Sequence, residues 1–158
     1  MRASIVSLIV AILICFGAAA VGSFFTAKSV STWYVTLNKP TWNPPGWLFG
    51  PVWTILYLMM ATSIWLIWSK FTFKDYPVIY SIFSLQLILN VLWSGIFFGL
   101  RQPGWAVMDI AVLWLLILLY VLLTWPVSKA ASLLFVPYLL WVGFAGVLNF
   151  TIWRLNKF

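Results

Sequence analysis

The residues that could do chemistry in this chain are few, and their types exclude several kinds of site. The 158 residues include nine Lys and Arg, two Asp, no Glu and no His, for a formal net charge of +7. Without His or Glu there is no histidine general base, no histidine ligand for haem iron or zinc and no glutamate proton relay. The single cysteine, Cys15, lies in an apolar run and excludes an internal disulfide or a cysteine metal cluster. We therefore expect no metal site and no cofactor.

The polar groups that remain lie inside long apolar stretches. Asp109 is an ionisable group in such a position, and a carboxylate within a membrane indicates a functional residue by default. A structural ion pair with Arg101, two turns earlier, is the alternative and is slightly favoured. Asn90 and Gln86 follow i, i+4 spacing on one helix face, where they suit ligand contact and helix–helix packing equally well.

Five long stretches without Lys or Arg must position these residues. They cover residues 5–25, 46–69, 76–100, 103–127 and 130–153, and each is 21 to 25 residues long. The chain is 65% apolar and 7% charged, which leaves too few polar side chains to cover a water-facing surface. A helix needs about 20 apolar residues to cross a hydrocarbon core about 30 Å thick, and helices satisfy their own backbone groups in lipid. The sequence therefore predicts an all-α integral membrane protein, a single domain over residues 1–158 built as a bundle of five transmembrane helices.

The connections between these stretches set the directions of the helices. Three of them are two to six residues long, so neighbouring helices must run antiparallel. We call the side of the N-terminus side A and the opposite side, which carries the first connection, side B. Four Lys or Arg lie on side A and five on side B, which leaves the orientation open. Arg2 and the apolar run after it also resemble a weak signal peptide, but the run exceeds the usual about 7–15 residues.

The connection between the first two helices, residues 26–45, is the long one. It carries Trp33, Tyr34 and Trp42 together with three prolines, which stiffen the backbone toward polyproline II. Tryptophan and tyrosine favour the membrane interface, so the segment is predicted either to anchor there or to form a lid over the side B end of the bundle. Long ordered loops are usually functional, and our predicted fold includes this one as a cap.

The candidate residues lie at similar depths in the membrane when residues are counted along each helix from side B. Five of them lie six to twelve residues below their helix ends, about 9–18 Å at 1.5 Å per residue: Trp53, Trp93, Trp141, Asn90 and Asp109. A cavity lined by aromatic and amide groups suits a flat apolar ligand, and cations at its rim, such as Lys39 and Arg154, suit carboxylate tails. A tetrapyrrole fits this description, whereas a sterol fits the apolar part only. Without His to hold iron, metal-free porphyrin is easier to accommodate than haem.

Three segments carry a resemblance to a known family. They are WYVTLNKPTWNPPGWLFGPVWTILY at residues 33–57, LNVLWSGIFFGLRQPGWAVMD at 89–109 and VPYLLWVGFAGVLNFTIWRLN at 136–156. With them the chain resembles the translocator protein family, also called the tryptophan-rich sensory proteins, over nearly its whole length. The resemblance implies a five-helix membrane protein whose first loop caps a pocket for porphyrins and synthetic aromatic ligands, often as a homodimer.

The resemblance also implies site residues by motif position. The implied ligand-binding residues are Tyr34, Pro44, Trp53, Asn90, Trp93, Trp105, Asp109, Trp141, Ala145 and Leu148. Light- and oxygen-dependent porphyrin breakdown is a further implied activity, with Trp53 and Trp141 as redox-active catalytic residues. Animal members are linked to cholesterol through a short motif with a Tyr where this chain has Phe150, so a sterol partner is doubtful.

Three functions therefore compete. The first is a membrane receptor or sensor that binds tetrapyrroles and takes part in their transport or homeostasis. The second is photo-oxidative porphyrin degradation. The third is a small proton-coupled exporter that uses Asp109, although no internal repeat of the kind found in transporters is evident. We expect a porphyrin or another hydrophobic small molecule and membrane lipids as partners, no nucleic acid, and a location in a bacterial cell envelope membrane.

Overall fold

The computed structural model describes residues 5–156, and this part of the chain is helical with no strand. Its five long helices are α1 (Ile5–Val30), α2 (Gly46–Trp68), α3 (Pro77–Ser94), α4 (Pro103–Thr124) and α5 (Lys129–Asn156). A short 3₁₀ turn covers Tyr34–Thr36, and a π-helical turn, Gly95–Gly99, continues α3. Each of the five helices is long and apolar enough to cross a membrane. The predicted five-helix membrane fold is confirmed; Arg2 and Lys157, counted in the charge comparison, lie outside the described residues.

The helices pack as a closed ring. Going round it, α1 contacts α2, α2 contacts α5, α5 contacts α4, α4 contacts α3, and α3 returns to α1. The short connections make α1, α3 and α5 run from side A to side B and the other two run back. Every helix thus turns one face to a common interior and another outward, which is why large apolar side chains are exposed along all five.

The side A half of the interior is filled and its polar groups are paired. Tyr120 and Phe135 are buried, with ring centroids 4.0 Å apart. Ser63 donates a hydrogen bond to the Ala131 carbonyl at 2.7 Å and lies 3.0 Å from the Tyr120 hydroxyl. This tightly packed layer closes the side A half of the ring interior.

Helices α1 and α4 end at other residues than the sequence predicts, because the predicted ends were taken from the positions of Lys and Arg. Helix α1 continues through Thr26 to Val30, so the first connection comprises residues 31–45. Lys28 lies on the extra turn with its ammonium 4.0 Å from the centre of the Phe24 ring, and its long side chain reaches the interface from a helical position. Helix α4 ends at Thr124, short of residue 127, because Pro126 has no backbone N–H to continue the hydrogen-bond ladder; Trp125 before it still has helical backbone angles.

The end of α3 is a π turn where the sequence predicted an unbroken helix. The Leu100 N–H donates to the Gly95 carbonyl at 2.8 Å, five residues back. The wider turn buries two consecutive rings, Phe97 and Phe98, and the Ser29 hydroxyl of α1 donates to the Phe98 carbonyl at 2.7 Å. Such turns are rare and concentrate at functional sites, and this one forms part of the wall beneath the long loop.

Candidate functional site

The site begins with loop one, residues 31–45, which packs across the side B end of the bundle. Leu37 is buried among Phe97, Phe98, Ala106 and Leu148 in one apolar cluster. The Trp33 and Tyr34 rings lie 5.7 and 6.2 Å from the Phe97 ring, and the Trp42 ring lies 5.9 Å from Phe144 on α5. The loop is therefore the cap that the sequence predicts, and its Trp42 side chain also keeps a face toward the surroundings, as an interfacial residue would.

Hydrogen bonds inside loop one hold its shape. The Lys39 ammonium donates to the carbonyls of Tyr34 and Leu37 at 2.8 and 2.9 Å. The Tyr34 hydroxyl donates to Asn43 Oδ1 at 3.0 Å, and the Asn43 amide donates to the carbonyl of half-buried Pro44 at 3.1 Å. Burial raises the pKa of the Tyr34 phenol above its ordinary value, and the bond to Asn43 partly offsets this. Lys39, predicted as a rim cation, is engaged with its own loop.

Trp93 joins three helices directly below the loop. Its ring stacks on Phe97 with centroids 5.2 Å apart and planes 23° from parallel. Its indole N–H donates to Asn149 Oδ1 at 2.9 Å, and the Asn149 amide donates to the Pro103 carbonyl at 2.9 Å. Leu148, buried in the same cluster, completes the contact with α5. Two predicted ligand residues, Trp93 and Leu148, thus share a wall with Tyr34.

One turn deeper, two amides and two phenols form a buried hydrogen-bond chain. Tyr57 on α2 donates to Asn90 Oδ1 at 2.6 Å, and Asn90 Nδ2 donates to the Tyr138 hydroxyl at 2.8 Å. Tyr138 in turn donates to Gln86 Oε1 at 3.0 Å. The Trp53 ring lies over this chain, 5.6 Å from Tyr57 and 6.2 Å from Tyr138. Asn90 therefore joins side chains of α2 and α5, which fits packing between helices, one of its two predicted roles.

Trp141 and Asp109 carry buried polar atoms that have no hydrogen-bond partner in the described chain. These atoms are Trp141 Nε1 and Asp109 Oδ2. The Trp141 ring lies between Phe49 and Phe144, at 5.9 and 5.5 Å. It also lines an apolar groove of about 440 Å³ between α2 and α5, which opens on the outer face of the bundle, where Ile55 and Leu140 are exposed. An unpaired polar group in hydrocarbon is costly, so each of these two buried atoms would gain from a hydrogen bond to a ligand.

The prediction of an ion pair between Asp109 and Arg101 is wrong. Arg101 is exposed in the turn before α4 and adopts a φ of 55°, in the left-handed region. Asp109 lies two turns into α4 with Oδ2 buried and unpaired. The two residues share a side of the membrane, but the turn directs one to the surface while the helix carries the other inside.

The two remaining predicted ligand residues, Ala145 and Trp105, lie in different surroundings. Ala145 is half-buried against the core of the bundle, near Trp141. Trp105 is 64% exposed on the outer surface of α4, so the structure does not bring it together with the others and its position suits the aromatic belt. Several neighbours were not among the predicted ligand residues although helical spacing from Trp53, Trp93 and Trp141 points to them: Phe49, Tyr57, Phe97, Tyr138 and Phe144.

Comparison with known proteins agrees with this architecture. The model of the TspO/MBR family matches residues 11–154. The chain is 47% identical to the tryptophan-rich protein TspO of Chlorobaculum tepidum over 99% of both chains. It is 38% identical to protein CrtK of Rhodobacter capsulatus, over 90% of this chain and 88% of that one. It is also 38% identical to the translocator protein of Homo sapiens, over 86% of this chain and 82% of that one.

Proposed function

We propose that this chain, which belongs to the TspO/MBR family, is a membrane receptor or sensor that binds tetrapyrroles of the protoporphyrin type beneath loop one. The chain is an integral multi-pass membrane protein, and its bacterial relatives agree with a bacterial membrane as its location. The observation that carries the proposal is the cap itself. Loop one lies over a cluster of packed aromatic rings, and the same half of the bundle holds two buried polar atoms without partners.

The shape of the side B half suits a flat aromatic molecule. The groove of about 440 Å³ between α2 and α5 lies within the range of about 300–1,000 Å³ that is usual for ligand sites. Trp141 and Phe144 line it, and Trp42 of loop one contacts Phe144 at its side B end. A planar ring entering between these side chains would gain offset or edge-to-face contacts worth about 0.5–1.5 kcal/mol each beyond area burial.

The unpaired polar atoms suit the polar groups of a porphyrin. The indole N–H of Trp141 is a donor for a carboxylate or carbonyl oxygen, and the Asp109 carboxylate is an acceptor for a pyrrole N–H. Arg154 lies exposed at the side B end of α5, where a propionate would meet water. Since the chain contains no His, the proposed ligand is the metal-free porphyrin.

A homodimer is part of the proposal through the family resemblance, and cross-linking in membranes tests it. A sterol partner is not proposed. The position of the tyrosine in the animal cholesterol motif is occupied by Phe150, which is exposed and packs at 5.8 Å against Trp153 of its own helix.

Photo-oxidative degradation is the second candidate, and the arrangement of Trp53 favours it. This indole contacts Tyr57 and Tyr138, whose hydroxyls are joined through Asn90, so three oxidisable rings lie in one connected group. Titration of the purified protein with protoporphyrin in the dark, followed by absorbance under light in air, separates the two functions. Saturable dark binding with stable absorbance supports a receptor; loss of bound porphyrin faster than that of free porphyrin supports degradation; no dark binding contradicts both.

A further inference from the structure

We propose a second site, separate from the one beneath loop one: an apolar groove on the side A half that holds one acyl chain of an anionic phospholipid, with the lipid phosphate at Lys70 and Lys74. This A-side groove lies between α1 and α3, with α2 behind it, and has a volume of about 660 Å³. Its walls, its length and the charge at its open end each point to the same occupant.

The length of the groove matches one leaflet of a bilayer. Its α1 wall extends from Ala11 to Val21 and its α3 wall from Tyr80 to Val91. These walls of eleven and twelve residues span about 15–17 Å, which is about half of a hydrocarbon core about 30 Å thick. Both helices start on side A, so the groove extends from that interface to near the midplane.

The hydroxyl groups of the walls are not free to bind a ligand. Tyr80 and Ser84 are the hydroxyl-bearing residues among them, and both hydroxyls are already engaged: Tyr80 donates to the Phe71 carbonyl at 2.6 Å and Ser84 to the Tyr80 carbonyl at 3.0 Å. A ligand with polar groups along its length would lose hydrogen bonds there, whereas an acyl chain has none to lose. Gly17 opens the α1 wall, since a Cβ built on it would have no heavy atom within 4 Å.

The open end of the groove is cationic and aromatic. Trp68 and Phe73 line it, Lys70 follows Trp68 by two residues, and Lys74 follows Phe73 directly. Both lysines are exposed, and Phe73 is itself 58% exposed at the interface. The neighbouring carboxylate, Asp75, already accepts hydrogen bonds from the backbone N–H and hydroxyl of Thr72 at 2.6 and 2.8 Å. Lysines next to an acyl site attract an anionic headgroup.

The A-side groove is independent of the site beneath loop one. Its inner wall includes Phe83, whose ring packs on Tyr120 at 5.9 Å and on Phe135 at 6.1 Å. That buried aromatic layer closes the side A half of the ring interior. A failure of porphyrin binding would therefore leave the lipid proposal standing, and the reverse also holds.

The test is lipid retention by detergent-purified protein, measured by native mass spectrometry with phosphatidylglycerol and phosphatidylcholine of identical acyl chains. We expect the parent protein to retain phosphatidylglycerol about tenfold better than phosphatidylcholine, from two lysines near the headgroup. Lys70→Gln with Lys74→Gln removes this preference. Lys129→Gln deletes a charge of the same side on α5, away from the groove, and is expected to keep the preference.

Gly17→Phe should fill the groove and abolish retention of both lipids. Gly50→Phe is its control, since a Cβ at Gly50 of α2 also meets nothing within 4 Å and lies outside the groove. Equal retention of the two lipids by the parent protein would overturn the proposal, as would unchanged retention in Gly17→Phe. Loss of dimer in Gly17→Phe with lipid retention unchanged would overturn it as well, because the groove would then be a contact between copies of the chain. Should Gly17→Phe fail to fold, the two-lysine variant on the exposed loop still decides the headgroup assignment.

Discussion

The side-chain amide of Asn156, at the end of α5, forms two hydrogen bonds with the backbone of Asn38 in loop one, one to its N–H and one to its carbonyl. The Asn38 N–H donates to Asn156 Oδ1 at 2.8 Å, and Asn156 Nδ2 donates to the Asn38 carbonyl at 2.9 Å. Asn156 Nδ2 also donates to the Ile152 carbonyl at 2.8 Å, which fixes the amide in this orientation. One side chain thus fastens the middle of the loop to the helix that carries Trp141 and Leu148.

Replacing Asn156 should loosen the cap. Each hydrogen bond contributes about 0.5–1.5 kcal/mol, so Asn156→Ala is expected to weaken protoporphyrin binding roughly tenfold, mainly through faster dissociation. Asn156→Asp keeps the hydrogen-bond acceptor and loses the donor, so its porphyrin affinity should lie between those of the parent and Asn156→Ala. Stopped-flow dissociation measures the effect, with Leu155→Ala, an exposed neighbour, as control. A dissociation rate for Asn156→Ala equal to that of the parent would mean that the bond does not hold the cap.

The phenol of Tyr34 gives the cap a pH dependence at high pH. Burial raises its pKa, so the neutral phenol stabilises the closed loop, and this contribution is complete below the ordinary tyrosine pKa of about 10. It is lost as pH rises through the raised pKa of Tyr34. We expect the dissociation rate of porphyrin to increase above about pH 10 in the parent and to change less in Tyr34→Phe. Parallel pH profiles for the two proteins would assign the dependence to other groups.

Asp109→Asn should not destabilise the protein. The Asp109 carboxylate has a buried oxygen without a partner, and removing its charge relieves a desolvation cost of about 1–3 kcal/mol. Thermal unfolding in detergent is expected to shift upward for Asp109→Asn and to stay unchanged for Arg101→Ala. A loss of stability in both variants would contradict this expectation and would indicate that Asp109 and Arg101 do form an ion pair. Loss of proton-linked transport by vesicles containing Asp109→Asn, if the parent transports, would favour the exporter.

Trp53→Phe and Trp141→Phe separate binding from photochemistry. Each change keeps an aromatic ring and removes an indole that is easier to oxidise, so dark binding should weaken tenfold or less by the size of ring contacts. Light-driven loss of porphyrin, where the parent shows it, should fall much further. Trp105→Phe, on the outer surface, is the matched control. If porphyrin affinity and the rate of light-driven porphyrin loss fall in proportion, the tryptophans only bind the ligand and have no redox role.

The spans were predictable from where charge is absent, because lysine and arginine are expensive in hydrocarbon. The same criterion placed the end of α1 too early, since Lys28 extends to the interface from within the helix. The π turn at Gly95–Gly99 was not predictable, because it is completed by a partner on another helix, Ser29. The pairing of Asp109 depends on the rotation of α4, which hydrophobic periodicity cannot fix when every face of the helix is apolar.

Asn90 shows the same limit for the site. Its position on a polar helix face was evident, but ligand contact and packing were indistinguishable until Tyr57 and Tyr138 were seen on both sides of the amide. The tryptophans were the better guide. Their helical neighbours one turn away, among them Phe49 and Phe144, form the aromatic contacts around them.

The central claim is that loop one covers a tetrapyrrole, and a dark titration with protoporphyrin tests it most directly. The parent protein is compared with a variant in which residues 32–43 are replaced by a Gly/Ser linker of equal length, which removes Trp33, Tyr34, Leu37 and Trp42 together. We expect saturable binding by the parent, affinity at least about tenfold weaker in the variant, and the same helix content by circular dichroism in both. Equal affinity in the two proteins, or no binding by the parent, would contradict the account.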